Sequence, residues 1–221
     1  MQAILAASCP VMLWVITAIN AAFMVLLGLR YAKTKNILFL LSGLITLGLF
    51  YDALILALGS FMQEGAVLLA LSRLRYVLHG GLIPLIFLIC AYALNLKGVW
   101  LKIMWVFTGV LMILGIADGC VRTIGVENMA GICRYASVTA PAWAEIVNSL
   151  LTFGTVIPLM IVGIVVWVKQ KTPHLFLAGF LMFAFSGLGA ACLDLMFYIS
   201  MYGEVLMALF FYLYCMKKEK M

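Results

Sequence analysis

The stretch ILFLLSGLITLGLFYDALILALGSFMQEGAVLLALSRLRYVLHGG, residues 37–81, decides how the rest of the chain is read. Its first part runs from Ile37 to Leu58 with a single charge, Asp52. At a rise of 1.5 Å per residue, about 20 apolar residues cross the hydrocarbon core of a bilayer. A short polar turn at Gln63, Glu64 and Gly65 follows, and a second apolar run begins at Ala66. Two such runs joined by a tight turn form a membrane hairpin. Asp52 precedes the turn by the same number of residues by which Arg75 follows it, so each lies about 17 Å from the turn, at one depth. A charge inside a bilayer costs at least ~2.5–3.5 kcal/mol unless it finds a partner. An Asp52–Arg75 ion pair is the expected answer. Ser72, Arg75, Tyr76 and His79 share one face of the second helix, which brings His79 and Tyr76 to the same place and points Arg73 elsewhere, outward to the interface.

The same pattern continues on both sides. The chain of 221 residues is 67% apolar and only 10% charged, and its mean hydropathy is +1.22. A soluble domain carries roughly a quarter charged residues. Apolar runs at 3–29, 37–62, 66–95, 99–119, 143–168, 174–200 and 204–216 imply an all-α, polytopic integral membrane protein with seven transmembrane helices in a single domain spanning 1–221. The runs are continuous and do not alternate, which excludes a transmembrane barrel. The third run, with Gly80, Gly81 and Pro84, is expected to be broken or kinked. Residues 1–29 have no basic segment before the apolar run, whereas Arg30, Lys33 and Lys35 follow it; this reads as a retained span and not as a cleaved leader.

Basic residues orient the bundle. With alternating spans, Arg30, Lys33, Lys35, Lys97, Lys102, Lys169, Lys171, Lys217, Lys218 and Lys220 fall on one side, ten of fourteen. That side is expected to be cytoplasmic, with the N-terminus extracytoplasmic and the C-terminus in the cytoplasm of a plasma (inner) membrane. Membrane lipids then account for the net charge of +6, and no nucleic-acid partner is implied. A likeness between Asp52…Glu64 and Asp194…Glu204, each with an apolar run after it, suggests a 3+1+3 repeat of residues 1–97 and 143–216 around a linker helix at 99–119.

Seven of the eight acids (Asp52, Glu64, Asp118, Glu127, Glu145, Asp194, Glu204) lie in the outer half. Candidate acid–base residues are Asp52, Asp194 and His79, with Asp194 on a face that also carries Gly187, Ala190 and Ala191. Arg75, Tyr76, Tyr51, Glu145, Asn148 and Glu204 are candidate binding residues, with Asp118 at the mouth of the same pocket. Two histidines at different depths, His79 and His174, do not suggest a metal centre. No cofactor is expected. The seventh run has no lysine for a retinal Schiff base, and no nucleophile elbow, phosphate loop or dinucleotide fingerprint occurs. Cys120 and Cys133, in the longest outer loop, are the candidate disulfide if that side is oxidising. Cys9, Cys90, Cys192 and Cys215 read as small apolar residues.

The lopsided charge favours a membrane-embedded enzyme, or a binder, of an amphiphilic, lipid-like molecule. A small-solute transporter is the alternative, drawing on the repeat and on Gly80, Gly81, Pro84 and Pro158, but the inner half offers little polarity beyond Thr17, Asn20 and Asn95. An accessory subunit and a homo-oligomer are both compatible with the composition.

Overall fold

The computed structural model describes residues 2–191 and 195–220, and side chains from Ala7 onward. Helices α1 (Gln2–Thr34), α2 (Ile37–Leu58), α3 (Ala66–Leu82), α4 (Leu85–Ala93) and α5 (Gly98–Val121) are followed by strands β1 (Thr123–Met129) and β2 (Ile132–Thr139). Helices α6 (Ala142–Gln170), α7 (His174–Ala190) and α8 (Met196–Glu219) complete the chain. Among the described residues, six helical segments are long and apolar enough to cross a membrane, with α3 and α4 counted as one; α7 is a shorter apolar helix. Each segment packs on the next, and α8 returns to α1, so the helices form a closed ring with α2 and α4 also reaching across it to α8 and α6.

Local chemistry sets the joints. Lys35 takes a left-handed conformation, φ 56°, and Asn36 caps α2 by accepting a hydrogen bond from the Leu38 amide at 3.0 Å, which makes the α1–α2 turn very tight. The α3–α4 break falls at Ile83 and Pro84, because proline has no amide to donate and crowds the carbonyl one turn earlier. Pro158 causes no comparable break; α6 runs through it for 29 residues.

Helices α3 and α5 meet backbone to backbone. A Cβ on Gly80 or on Gly115 would collide with the carbonyl of the other, and one on Gly119 would strike the backbone of Val77. Small residues four apart are the usual means of such close approach where lipid supplies no hydrophobic drive. The same device joins α6 to α7, where Gly163 faces the backbone of Phe176 and Gly179 faces Met160.

One end of the bundle is basic. There Lys218 donates to Asn95 (3.4 Å) and Gln170 (3.3 Å), and Arg30 pairs with Glu219 at 3.7 Å. Ends of α1, α4, α6 and α8 therefore gather there. A core of Phe39, Ile45, Ile86, Leu159, Leu175 and Phe211, among others, fills the bundle between this end and its middle. Large apolar side chains such as Val106, Val110 and Ile113 on α5 and Ile161 and Val168 on α6 face outward, as lipid-facing positions do. Exposed Trp100 and Trp167 lie near the basic end and Trp143 near the other, the places where indoles meet headgroups.

Two features differ from the sequence reading. The span boundary placed after residue 200 moves back: α8 already begins at Met196, so Glu204 stands two turns inside a helix. The outer loop, read as irregular, is an antiparallel hairpin whose two-residue turn has positive φ at both Ala130 (51°) and Gly131 (77°), the twist-matched turn of hairpins. The fold is therefore helical with one small sheet. Cys120 and Cys133 are free thiols; Cys133 is committed to the hairpin, its amide donating to the Gly59 carbonyl at 2.9 Å.

Candidate functional site

Asp52 on α2 meets Arg75 on α3 at 3.1 Å, and both are more than nine-tenths buried. The equal-depth spacing therefore produces a contact. His79, one turn beyond Arg75, places its Nδ1 3.5 Å from the other carboxylate oxygen. The Arg75 guanidinium lies over the Tyr76 ring, 4.8 Å from its centroid, in cation–π range. Arg75 is thus occupied by its own neighbours and does not project into open space.

Glu204 on α8 completes the group. Ligand atoms of Asp52, His79 and Glu204 all lie within 4.8 Å of one another. Glu204 is only 3% exposed, and its Oε2 has no hydrogen-bond partner among the described residues. Its depth inside α8, which the earlier boundary concealed, is what brings it here.

Beside this group opens a cleft with a cavity volume of about 120 Å³. Tyr76, His79, Asp118, Asn148 and Glu204 give it a polar head, while Ile83, Leu151, Val156, Met182 and Phe183 continue it as an apolar channel. Thr152, Thr155 and Ser186 also line it. The exposed lining residues are Asn148, Thr152, Phe153 and Phe183, on α6 and α7, whereas those from α2, α3, α4, α5 and α8 are buried or half-buried. Among the described residues the mouth therefore lies between α6 and α7, on the hairpin side of their glycine contacts.

The hairpin covers the end of the bundle above the site. Tyr135 accepts from the Gly65 amide (3.2 Å) and donates to its carbonyl (3.4 Å), and Tyr76 donates to the Tyr135 carbonyl at 3.4 Å. Arg122, buried, holds Asp118 at 2.8 Å, Ser137 at 2.8 Å and Glu145 at 3.5 Å. Arg134 pairs with Glu127 and lies over the Phe197 ring, 4.2 Å from the centroid. Burial pulls the Arg134 guanidinium below its ordinary pKa, with Glu127 acting in the opposite direction. Arg73 does not reach for the interface; it donates to the carbonyls of Gly119, Cys120 and Arg122, closing the end of α5.

Of the residues singled out from sequence, the structure brings together Asp52, Arg75, Tyr76, His79 and Glu204, with Asn148 at the mouth. Tyr51 sits apart, donating to the Leu71 carbonyl at 3.2 Å, and Glu145 belongs to the Arg122 network. Asp194 lies outside the described residues, as does Cys192. Glu64 and Glu204, matched in the sequence likeness, occupy unlike surroundings, an exposed turn and a buried helical position. Thr152 and Thr155 escaped notice although Asn148, Thr152 and Thr155 recur at helical spacing, four and then three residues apart, which is itself a stripe signal. Ser186 carries no such sign.

No protein-family model matches this chain, and no curated protein is significantly similar to it.

Proposed function

We propose that this protein is an integral membrane protein that takes an amphiphilic, lipid-like molecule from the outer leaflet into the α6–α7 cleft, as a binder or as an enzyme using Asp52, His79 and Glu204. One observation carries the reading: a polar, acid-bearing head continuous with an apolar channel whose mouth opens between two lipid-facing helices. Pockets for small molecules have this composition, mostly apolar walls and a few convergent polar groups. The headgroup meets Tyr76, His79, Asn148 and Glu204, and the chain lies along Leu151, Val156, Met182 and Phe183. Asp52 orients the His79 ring, leaving its other nitrogen free to exchange a proton with the ligand.

In this reading α7 is the seventh crossing, at about 25 Å somewhat shorter than a full span. The N-terminus is extracytoplasmic and the C-terminus cytoplasmic, in the plasma (inner) membrane. The packed core between cleft and basic end favours a one-sided binder over an alternating-access transporter.

The test is native mass spectrometry of protein released from nanodiscs of defined lipid composition. Wild type should retain about one lipid per chain, and Thr152→Trp or Ser186→Trp, which fill the mouth, should remove it. Equal retention in wild type and filled variants refutes the reading. So does counterflow of a small solute by wild-type protein in liposomes.

A further inference from the structure

Asp52, His79 and Glu204 come from three different helices, α2, α3 and α8, and converge on one point. Their potential ligand atoms lie within 4.8 Å of one another, so a central point is no more than about 2.8 Å from each, against ~2.0–2.2 Å in a zinc site. Side-chain adjustments of at most about 0.6–0.8 Å apiece close the difference. Glu204 contributes one of these atoms, and its Oε2 is buried without a hydrogen-bond partner among the described residues. A buried carboxyl oxygen without a partner calls for one, since a buried polar group left unpaired is costly.

The pairing of the neighbours gives the same direction. Arg75 is committed to a single oxygen of Asp52 at 3.1 Å, whereas the Oε2 of Glu204 has no partner among the described residues. A divalent cation would supply one.

We infer that Asp52, His79 and Glu204 form a divalent-cation site at the head of the cleft, with one imidazole nitrogen and two carboxylates as ligands. A mixed nitrogen and oxygen set suits a first-row ion, zinc above all, and is unlike the all-oxygen cages of calcium or magnesium. Three protein ligands leave a position open, as catalytic zinc sites do. Since His79 and Glu204 also line the cleft, that position faces the ligand, which would then carry an oxygen donor in its headgroup. Arg75 acts from behind, holding the Asp52 carboxylate in place as outer partners of metal ligands do. It departs from the expectation of no metal, which rested on two histidines at different depths.

The experiment uses full-length, tag-free protein in detergent, stripped with chelator, reloaded with zinc chloride, desalted and assayed for metal by mass spectrometry. Wild type should hold about one zinc per chain. Glu204→Gln and His79→Gln should each reduce retention at least tenfold while eluting as monodisperse protein, and Glu64→Gln, in the exposed turn, should not. Zinc should also raise the melting temperature of wild type and not of Glu204→Gln. Wild type without retained zinc, or retention unchanged in the Glu204→Gln and His79→Gln variants, overturns the site. If Glu204→Gln does not fold, His79→Gln, altering a half-exposed ring, decides alone. Lipid retention on the same preparations is read separately, so failure of the metal site does not count against the cleft.

Discussion

Separating Asp52 from Arg75 should destabilise the bundle asymmetrically. The pair is 3.1 Å apart, and at an effective dielectric of about 20 two unit charges at that distance attract by about 5 kcal/mol. Much of this offsets the cost of taking both charges out of water, but removing one partner leaves the other stranded, at a cost of about 3–5 kcal/mol. Asp52→Asn leaves the Arg75 guanidinium with Glu204 as its remaining acidic neighbour. Arg75→Gln leaves Asp52 beside Glu204, a second acid, with only His79 at 3.5 Å to compensate. The second change should therefore be the worse, the more so because it also loses the contact with the Tyr76 ring, about 1 kcal/mol. For a chain of this size the larger loss corresponds to a fall of about 10 °C in melting temperature. The Asp52→Asn/Arg75→Gln double variant removes both charges and should recover at least half of it. Scanning fluorimetry in detergent measures all four proteins. Single variants within about 2 °C of wild type, or a double variant whose loss is the sum of the singles, would refute the buried pair.

Further outcomes follow from the packing and the hairpin. Gly115→Leu should abolish folded yield by driving α3 from α5, whereas Gly109→Ala, which meets nothing within 4 Å, should leave it unchanged; fluorescence-detected size exclusion compares them. Gly131→Val places a branched side chain at φ 77° and should cost about 1–3 kcal/mol, while Gly131→Asn, which tolerates that conformation, should cost less; thermal unfolding distinguishes the two. An impermeant maleimide added to intact cells should label the exposed Cys120, while a cysteine at Lys218 should react only after permeabilisation. The reverse pattern would invert the assigned topology.

How much of this could be read from the sequence depended on which signal a residue emitted. The α2–α3 hairpin was legible because a charge in an apolar run must be matched at its own depth, and helical rise converts residue counts into depth. The α7–α8 joint was not. Between Ala190 and Met196 the sequence has neither glycine nor proline to mark a turn, while Gly203 and Glu204 look like a turn and are in fact buried in the body of α8. A charge read as a boundary was a charge with neighbours. The hairpin was missed for a related reason: Thr123–Val126 and Ala136–Thr139 are short β-prone runs flanking a turn, and against so apolar a chain they register only as a loop. Arg122 did carry a spacing signal, since Asp118 precedes it by four residues, whereas its contacts with Ser137 and Glu145, and the backbone carbonyls that Arg73 reaches, gave none.

The lateral mouth between α6 and α7 has a pharmacological consequence. On the proposed reading, with Tyr135, Arg122 and Arg134 fastening the hairpin over the end of the bundle, a compound would reach the cleft only after partitioning into lipid. Its effective dose is then its mole fraction in the bilayer, and potency ranked by total concentration would reorder compounds according to how well they dissolve in acyl chains.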